Sequence, residues 1–343
     1  MLDDLKMIHE RDTDDALGVA EKQWQQLMHE FNVDTGKISN VENIVLAGMG
    51  GSALPAVYLG SWPNVYRPLE IVRNYSVPSY VNEKTLFISS SYSGNTEETL
   101  SALREAEERN AQIVVIAAGG KLEQIAKDKN YPLFTIPSGI QPRMCAFYFL
   151  NALIHLLEQV GLIDQGKIKE LQDSGDWLKD QIGLWKPEIP TATNKAKSLA
   201  LELIGKSIVI YSGPKLFPAA NKFKICLNEN AKNVAWVNQY PEFNHNEFMG
   251  WSSHPTEKPY AVVEIRSSLE NDRIKKRFII SEQLLSGKRP NPEIIDPVGD
   301  TLFKQLIWTS NFVDFTSLYV ALLNGINPTP VDLVEKLKVL LNQ

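Results

Sequence analysis

Short apolar, β-branched runs recur along this chain with helical stretches between them, and that alternation constrains the fold most. In the first half the runs fall at 44–47, 69–72, 86–89, 113–117 and 133–136. Helical patterns separate several of them, most clearly 96–109 and 121–129. Continuous apolar runs suit strands buried on both faces, and the helices between them suit crossover connections. The pattern predicts a parallel sheet covered by helices. The first forty residues read as amphipathic helix, and 143–162 as one long apolar helix closing the half.

A polar, helical connection follows over 163–195, ending in the turn-rich KPEIPTATN. A second series of runs lies at 208–211, 234–237, 261–265 and, more weakly, 293–296. Helices are expected over 301–323 and, after the breaker NPTP, over 331–341. NIVLAGMGG at 43–51 overlays SIVIYSGPK at 207–215, a weak internal repeat of strand, glycine turn and helix. The expected organisation is therefore 1–162 as a helical lead plus a first domain, 163–195 as connection, and 196–343 as a second domain with a C-terminal helix. A length of 343 residues agrees with two domains.

Composition excludes several function classes. Lys plus Arg number 35 against 41 Asp plus Glu, a net charge of −6, and no basic stripe marks a nucleic-acid binder. Two cysteines, Cys145 and Cys226, build neither a disulfide framework nor a Cys-rich zinc site. The acidic start, MLDDLKMIHERDTDD, has no apolar leader core, and the apolar stretch at 146–157 falls short of a membrane span. The expectation is a cytoplasmic protein with no membrane and no nucleic-acid partner.

Two loops carry the chemistry. Gly48-Met49-Gly50-Gly51-Ser52-Ala53 follows the first strand and opens a helix, where glycines admit an anion to the helix N-terminus. It also satisfies the dinucleotide fingerprint G-x-G-x-x-[GA]. The second strand ends in Arg73 and Asn74 rather than an acid, which would suit NADP. A plain glycine turn is the structural alternative. After the third strand, Ser89 to Thr96 offers five Ser or Thr hydroxyls and Gly94 ahead of an acidic helix start. One such residue makes an ordinary N-cap; a cluster at the carboxyl end of a parallel strand suits a terminal phosphate. Other signals fail. Gly205-Lys206-Ser207 precedes its strand and lacks the earlier glycine of a phosphate loop, and no H-E-x-x-H or C-x-x-C occurs. His155 reads as packed structure inside an apolar helix, and His9, His29 and His254 have no evident partners.

GMGGSALP followed by SSSYSGNTEET resembles a sugar isomerase (SIS) phosphosugar-binding domain. Asn228-Glu229-Asn230-Ala231-Lys232 and NHNEFMGW at 244–251 are similar to the bifunctional phosphoglucose/phosphomannose isomerases, and the resemblance spans nearly the whole chain. It implies two flavodoxin-like, doubly wound α/β SIS domains with parallel sheets, the active site lying between them at the carboxyl ends of the strands. By the same resemblance Gly51, Ser52, Ser91, Ser93 and Thr96 hold the sugar phosphate. Arg143 sits beside the reacting carbons, Glu229 is the base, and His245 opens the sugar ring. Lys338, with Lys336 close by, matches the lysine of the last helix. The implied activity is aldose–ketose isomerisation of hexose 6-phosphates without cofactor or metal, in a homodimer. An NADP-dependent reductase and a non-catalytic sugar-phosphate sensor are the competing readings.

Overall fold

The fold is that of a computed structural model, which describes residues 1–36, 38–252 and 259–341. In chain order the first elements are helices α1 (Leu5–Arg11), α2 (Ala16–Glu21) and α3 (Trp24–Leu27). They are followed by β1 (Asn43–Ala47), α4 (Gly50–Tyr58), β2 (Leu69–Val72), β3 (Thr85–Ser91), α5 (Glu97–Glu108), β4 (Gln112–Ala117), α6 (Gly120–Lys129) and β5 (Leu133–Thr135). A 3-10 turn (Pro142–Met144) leads into α7 (Ala146–Gln159), then α8 (Lys167–Ile182) and α9 (Lys195–Leu203). The second series is β6 (Ser207–Ser212), α10 (Phe217–Glu229), β7 (Ala235–Gln239), α11 (Glu247–Gly250), β8 (Tyr260–Ile265), α12 (Asp272–Leu284), β9 (Pro292–Ile295), α13 (Leu302–Leu323) and α14 (Asp332–Leu341).

The chain forms two α/β units. In Lys22–Trp177 five parallel strands run in the order β2-β1-β3-β4-β5. Every residue of β3 is buried, as the unbroken apolar pattern requires. Val45, Ala47, Phe87, Val115 and Ala117 form one core face with Leu103 of α5 and Leu122 of α6. Helices α4 and α7 pack together on the other side, α4 touching β1 and β3. The second unit holds four parallel strands in the order β7-β6-β8-β9. Both orders reverse beside their first strand. In a doubly wound sheet that reversal opens a crevice at the carboxyl ends of the strands, between β1 and β3 and between β6 and β8.

Three expectations are corrected. The lead over residues 1–21 belongs with the second unit, Met1–Glu21 and Leu178–Gln343, not with the first sheet. Asp3 accepts hydrogen bonds from Thr191 N and Oγ1 at 2.8 Å and from Lys197 Nζ at 3.0 Å, which hold its carboxyl at a pKa of about 2. Arg11 donates to the Leu322 carbonyl, and Asn311 Nδ2 to that of Ala20 at 2.9 Å. The helix expected over 143–162 is instead the Pro142–Met144 turn and a separate α7, broken at Cys145. Lastly, among the described residues the helix with the length and composition to cross a membrane is α13 and not the stretch at 146–157, although 94% of its most apolar window is buried inside the protein. Buried Gln305, Thr309, Asn311 and Asp314 interrupt its sequence, which hides it from a search for unbroken apolar runs.

Candidate active site

The carboxyl edge of the first sheet gathers the predicted phosphate loops. Gly50 sits at φ +48°, and a Cβ on Gly51 would lie 2.8 Å from Pro142 C and O and Arg143 N. Glycine at 51 therefore lets the 142–143 turn close onto the start of α4, which accounts for it without a dinucleotide. Ser52 is nearly buried; its Oγ accepts from Tyr92 N at 3.0 Å, and its carbonyl accepts from Ser90 Oγ at 2.8 Å. These contacts lock the β1–α4 and β3–α5 loops together.

Thr96 is the N-cap residue of α5 by position, yet its side chain makes no capping bond. Its Oγ1 lies 2.7 Å from Ser91 Oγ instead. Thr96 therefore does not cap α5, and the first turn of α5 keeps N–H groups that no cap side chain satisfies. Ser89 Oγ and Thr99 Oγ1, on the strand and first turn beside them, are buried without partners. The start of α6 differs: Lys121 N donates to Asn95 Oδ1 at 3.1 Å and Leu122 N to the Gly94 carbonyl at 3.0 Å. Gly94, at φ +65°, permits this, since a Cβ there would collide with Gly119 O at 1.8 Å. Ser93 shapes the same loop, its Oγ accepting from Asn95 N at 3.3 Å.

Arg143 is 1% exposed. Nη1 donates to Gln141 Oε1 at 3.2 Å. The turn that carries this arginine closes onto the start of α4, so a buried positive charge sits in the unit that holds the predicted phosphate loops. Tyr92 completes the wall. Its hydroxyl accepts from Ile140 N at 3.1 Å, and burial lifts its pKa to about 12, so it remains a neutral phenol. Sequence reasoning missed Ser90, Tyr92 and Asn95 as organisers of the loops. Their signal lay in the same SSSYSGNTEET run.

Glu229, His245 and Lys338 lie in the other unit. Glu229, half-buried, ends α10, so it sits at the edge where the strands begin and not at their carboxyl ends as expected. Lys232 Nζ fastens this helix end, donating to the carbonyls of Glu229 at 2.9 Å, Asn327 at 3.2 Å and Pro328 at 3.0 Å. Asn230 Nδ2 adds a bond to Ser317 Oγ at 2.9 Å. His245 is exposed on the turn beyond β7, at the opposite edge of the sheet. The five-residue β7 separates the two edges by about 13 Å. The structure thus does not bring Glu229 and His245 of one chain together. Lys338 lies on exposed α14, ion-paired with Glu335 at 2.7 Å, and Lys336 is on the same helix.

Among the remaining candidates, Arg73 is exposed beyond β2. His155 packs edge-on against Phe31, and burial lowers its pKa, as a structural histidine requires. His254 lies outside the described residues. Among the described residues no three His, Cys, Asp or Glu side chains cluster as a metal set.

Residues 37–149 match the SIS domain, and residues 192–341 match the bacterial phospho-glucose isomerase C-terminal SIS domain. A bifunctional phosphoglucose/phosphomannose isomerase of Caldicellulosiruptor bescii is 35% identical over 313 residues, covering 88% of this chain and 90% of that protein. A D-glucosamine-6-phosphate 4-epimerase of Sulfolobus acidocaldarius is 34% identical over 236 residues, covering 68% and 72%. Among solved structures, a glucose-6-phosphate isomerase like protein from Thermus thermophilus matches with a TM-score of 0.66 at 17% identity over 97% of this chain and 99% of that one. This last likeness shows the fold alone.

Proposed function

Because the chain belongs to the bifunctional phosphoglucose/phosphomannose isomerase family, we propose that it interconverts fructose 6-phosphate with glucose 6-phosphate and mannose 6-phosphate through a cis-enediol. The observation that carries the reading is the Ser91–Thr96 loop, whose two hydroxyls face each other and leave the start of α5 without a side-chain cap, a receptor suited to a sugar phosphate. The phosphate is remote from the reacting carbons, so its binding energy positions them. His245, with Lys338, opens the ring. Glu229 takes the C2 proton of the aldose and returns it at C1. Arg143 stabilises the charge that develops on the enediolate oxygens. Glucose and mannose 6-phosphate differ only at C2, a difference erased in the shared enediol, so one base serves both.

The working form in this reading is a homodimer in which His245 serves the neighbouring copy's site, because Glu229 and His245 of one chain stand at opposite sheet edges. An assembly surface is available in α14, whose Leu333, Leu337 and Leu340 are 82%, 56% and 64% exposed. The cytoplasm is the proposed compartment, in keeping with two buried cysteines, Cys145 and Cys226, that form no disulfide.

The test is incubation with fructose 6-phosphate after dialysis against EDTA, with no nucleotide added. The reading expects both aldoses to form and to inhibit one another competitively. Mannose 6-phosphate turnover that returns only with zinc, or a requirement for NADPH, overturns it. So does turnover of glucosamine 6-phosphate in place of fructose 6-phosphate.

A further inference from the structure

The turn that carries His245 is tied to the sheet far more firmly than an exposed turn requires. Phe243 and Trp251, at either end of it, are buried in an aromatic cluster with Tyr211 and Tyr240. A polar network runs through that cluster. The Tyr211 hydroxyl donates to Glu247 Oε1 and accepts from Trp251 Nε1 at 3.0 Å. Glu247 Oε2 accepts from Asn238 Nδ2 at 2.7 Å. Both carboxylate oxygens are thus held by β6 and β7, two residues beyond the histidine. On its other side Asn244 donates to Ser281 Oγ at 2.9 Å and accepts from Arg277 Nη1 at 3.1 Å. Asn246 donates to Glu242 Oε1 at 2.5 Å, so the immediate neighbours of His245 are fixed while its own ring faces solvent.

Tyr211 is fully buried on β6, and a hydroxyl there that touched nothing would cost more than a phenylalanine. Its two bonds go to the two residues that anchor the far side of this turn. We propose that Tyr211, acting through Glu247 and Trp251, is a positioning residue for His245 in the ring-opening step. The inference rests on the reading of His245 given above and deepens it. In that step the C2–O5 bond of fructofuranose 6-phosphate breaks, a proton leaves the anomeric hydroxyl and O5 gains one. An imidazole that moves protons between two sugar oxygens must be held to a fraction of an ångström, whereas substrate affinity does not depend on it.

Tyr211→Phe keeps the ring and removes the hydroxyl. It is assayed on fructose 6-phosphate and on 5-deoxyfructose 6-phosphate, which lacks O5 and cannot close a ring. We expect kcat on fructose 6-phosphate to fall on the order of 10²-fold with KM unchanged, and turnover of the open-chain analogue to stay at the wild-type rate. Equal losses on both substrates, or no loss on either, overturn the proposal. Glu247→Gln, which leaves one acceptor oxygen for the two donors Tyr211 Oη and Asn238 Nδ2, is the companion variant and must show the same substrate-selective loss if Tyr211→Phe does not fold. Failure of the underlying reading looks different. His245→Ala would then lose both activities equally, or the wild-type protein would turn over neither sugar.

Discussion

Thr96 occupies the cap position of α5 without capping it, and Ser91 turns its hydroxyl toward Thr96 rather than toward the backbone. Two neutral hydroxyls facing each other at a positive helix end are poised to turn toward an anion. Ser91→Ala with Thr96→Ala is therefore expected to raise KM for fructose 6-phosphate, each lost bond to a charged oxygen being worth about 1.5–3 kcal/mol, with kcat little changed. Steady-state kinetics decide, and an unchanged KM would return the loop to a purely structural role. The hydroxyl-rich run was legible in the sequence, because composition alone marks it. The division of labour within it was not. Ser90 reaches Ser52 while Ser91 reaches Thr96, since successive residues of β3 point to opposite faces, and only the paired strands say what each face meets.

At the scale of elements, the position of Glu229 depends on how α10 is held. Inside the helix pair α10 and α13, Lys222 and Asp314 form an ion pair with both side chains 1% exposed, and Cys226 Sγ donates to Asp314 Oδ1 at 3.0 Å. Breaking such a pair strands a charge. Lys222→Met is expected to destabilise the fold by about 3–5 kcal/mol, and Lys222→Met with Asp314→Leu to recover most of the loss. Urea unfolding measures both, and a double variant no more stable than the single would contradict this account. The strands and their parallel direction were readable from β-branched runs and helical spacing, whereas their order in the sheet was not. The end of α10 was misread: a helix that crosses back between parallel strands finishes where the next strand begins, so a motif at its last turn cannot lie at the carboxyl edge of its own sheet. The second hidden feature is α13, where buried Gln305, Asn311 and Asp314 bond to partners in other elements that no local pattern reveals, while Thr309 donates to the Gln305 carbonyl of its own helix.

For the whole molecule, the lead over 1–21 packs with the later sheet through contacts separated by nearly the full chain, such as Asn311 to Ala20, which lie beyond any reading of neighbouring residues. The phosphate loops and Arg143 sit in one unit, and Glu229, His245 and Lys338 in the other. Co-expressed Glu229→Gln and His245→Ala chains, each inactive alone, should regain activity as hybrids if the histidine serves the neighbouring copy. Hybrids as inactive as either parent would place both residues at one chain's own site. The central claim is proton transfer between C1 and C2 by Glu229, and its most direct test is turnover of fructose 6-phosphate in D2O followed by NMR. The wild-type enzyme should build up deuterium at C1 of the ketose and C2 of both aldoses over repeated turnovers. Glu229→Gln should lose isomerisation and labelling together, by about 10²–10⁴-fold, while still binding the sugar phosphate. Isomerisation that never incorporates solvent deuterium, label appearing at C4, or a Glu229→Gln variant that labels as fast as the wild type would contradict the account.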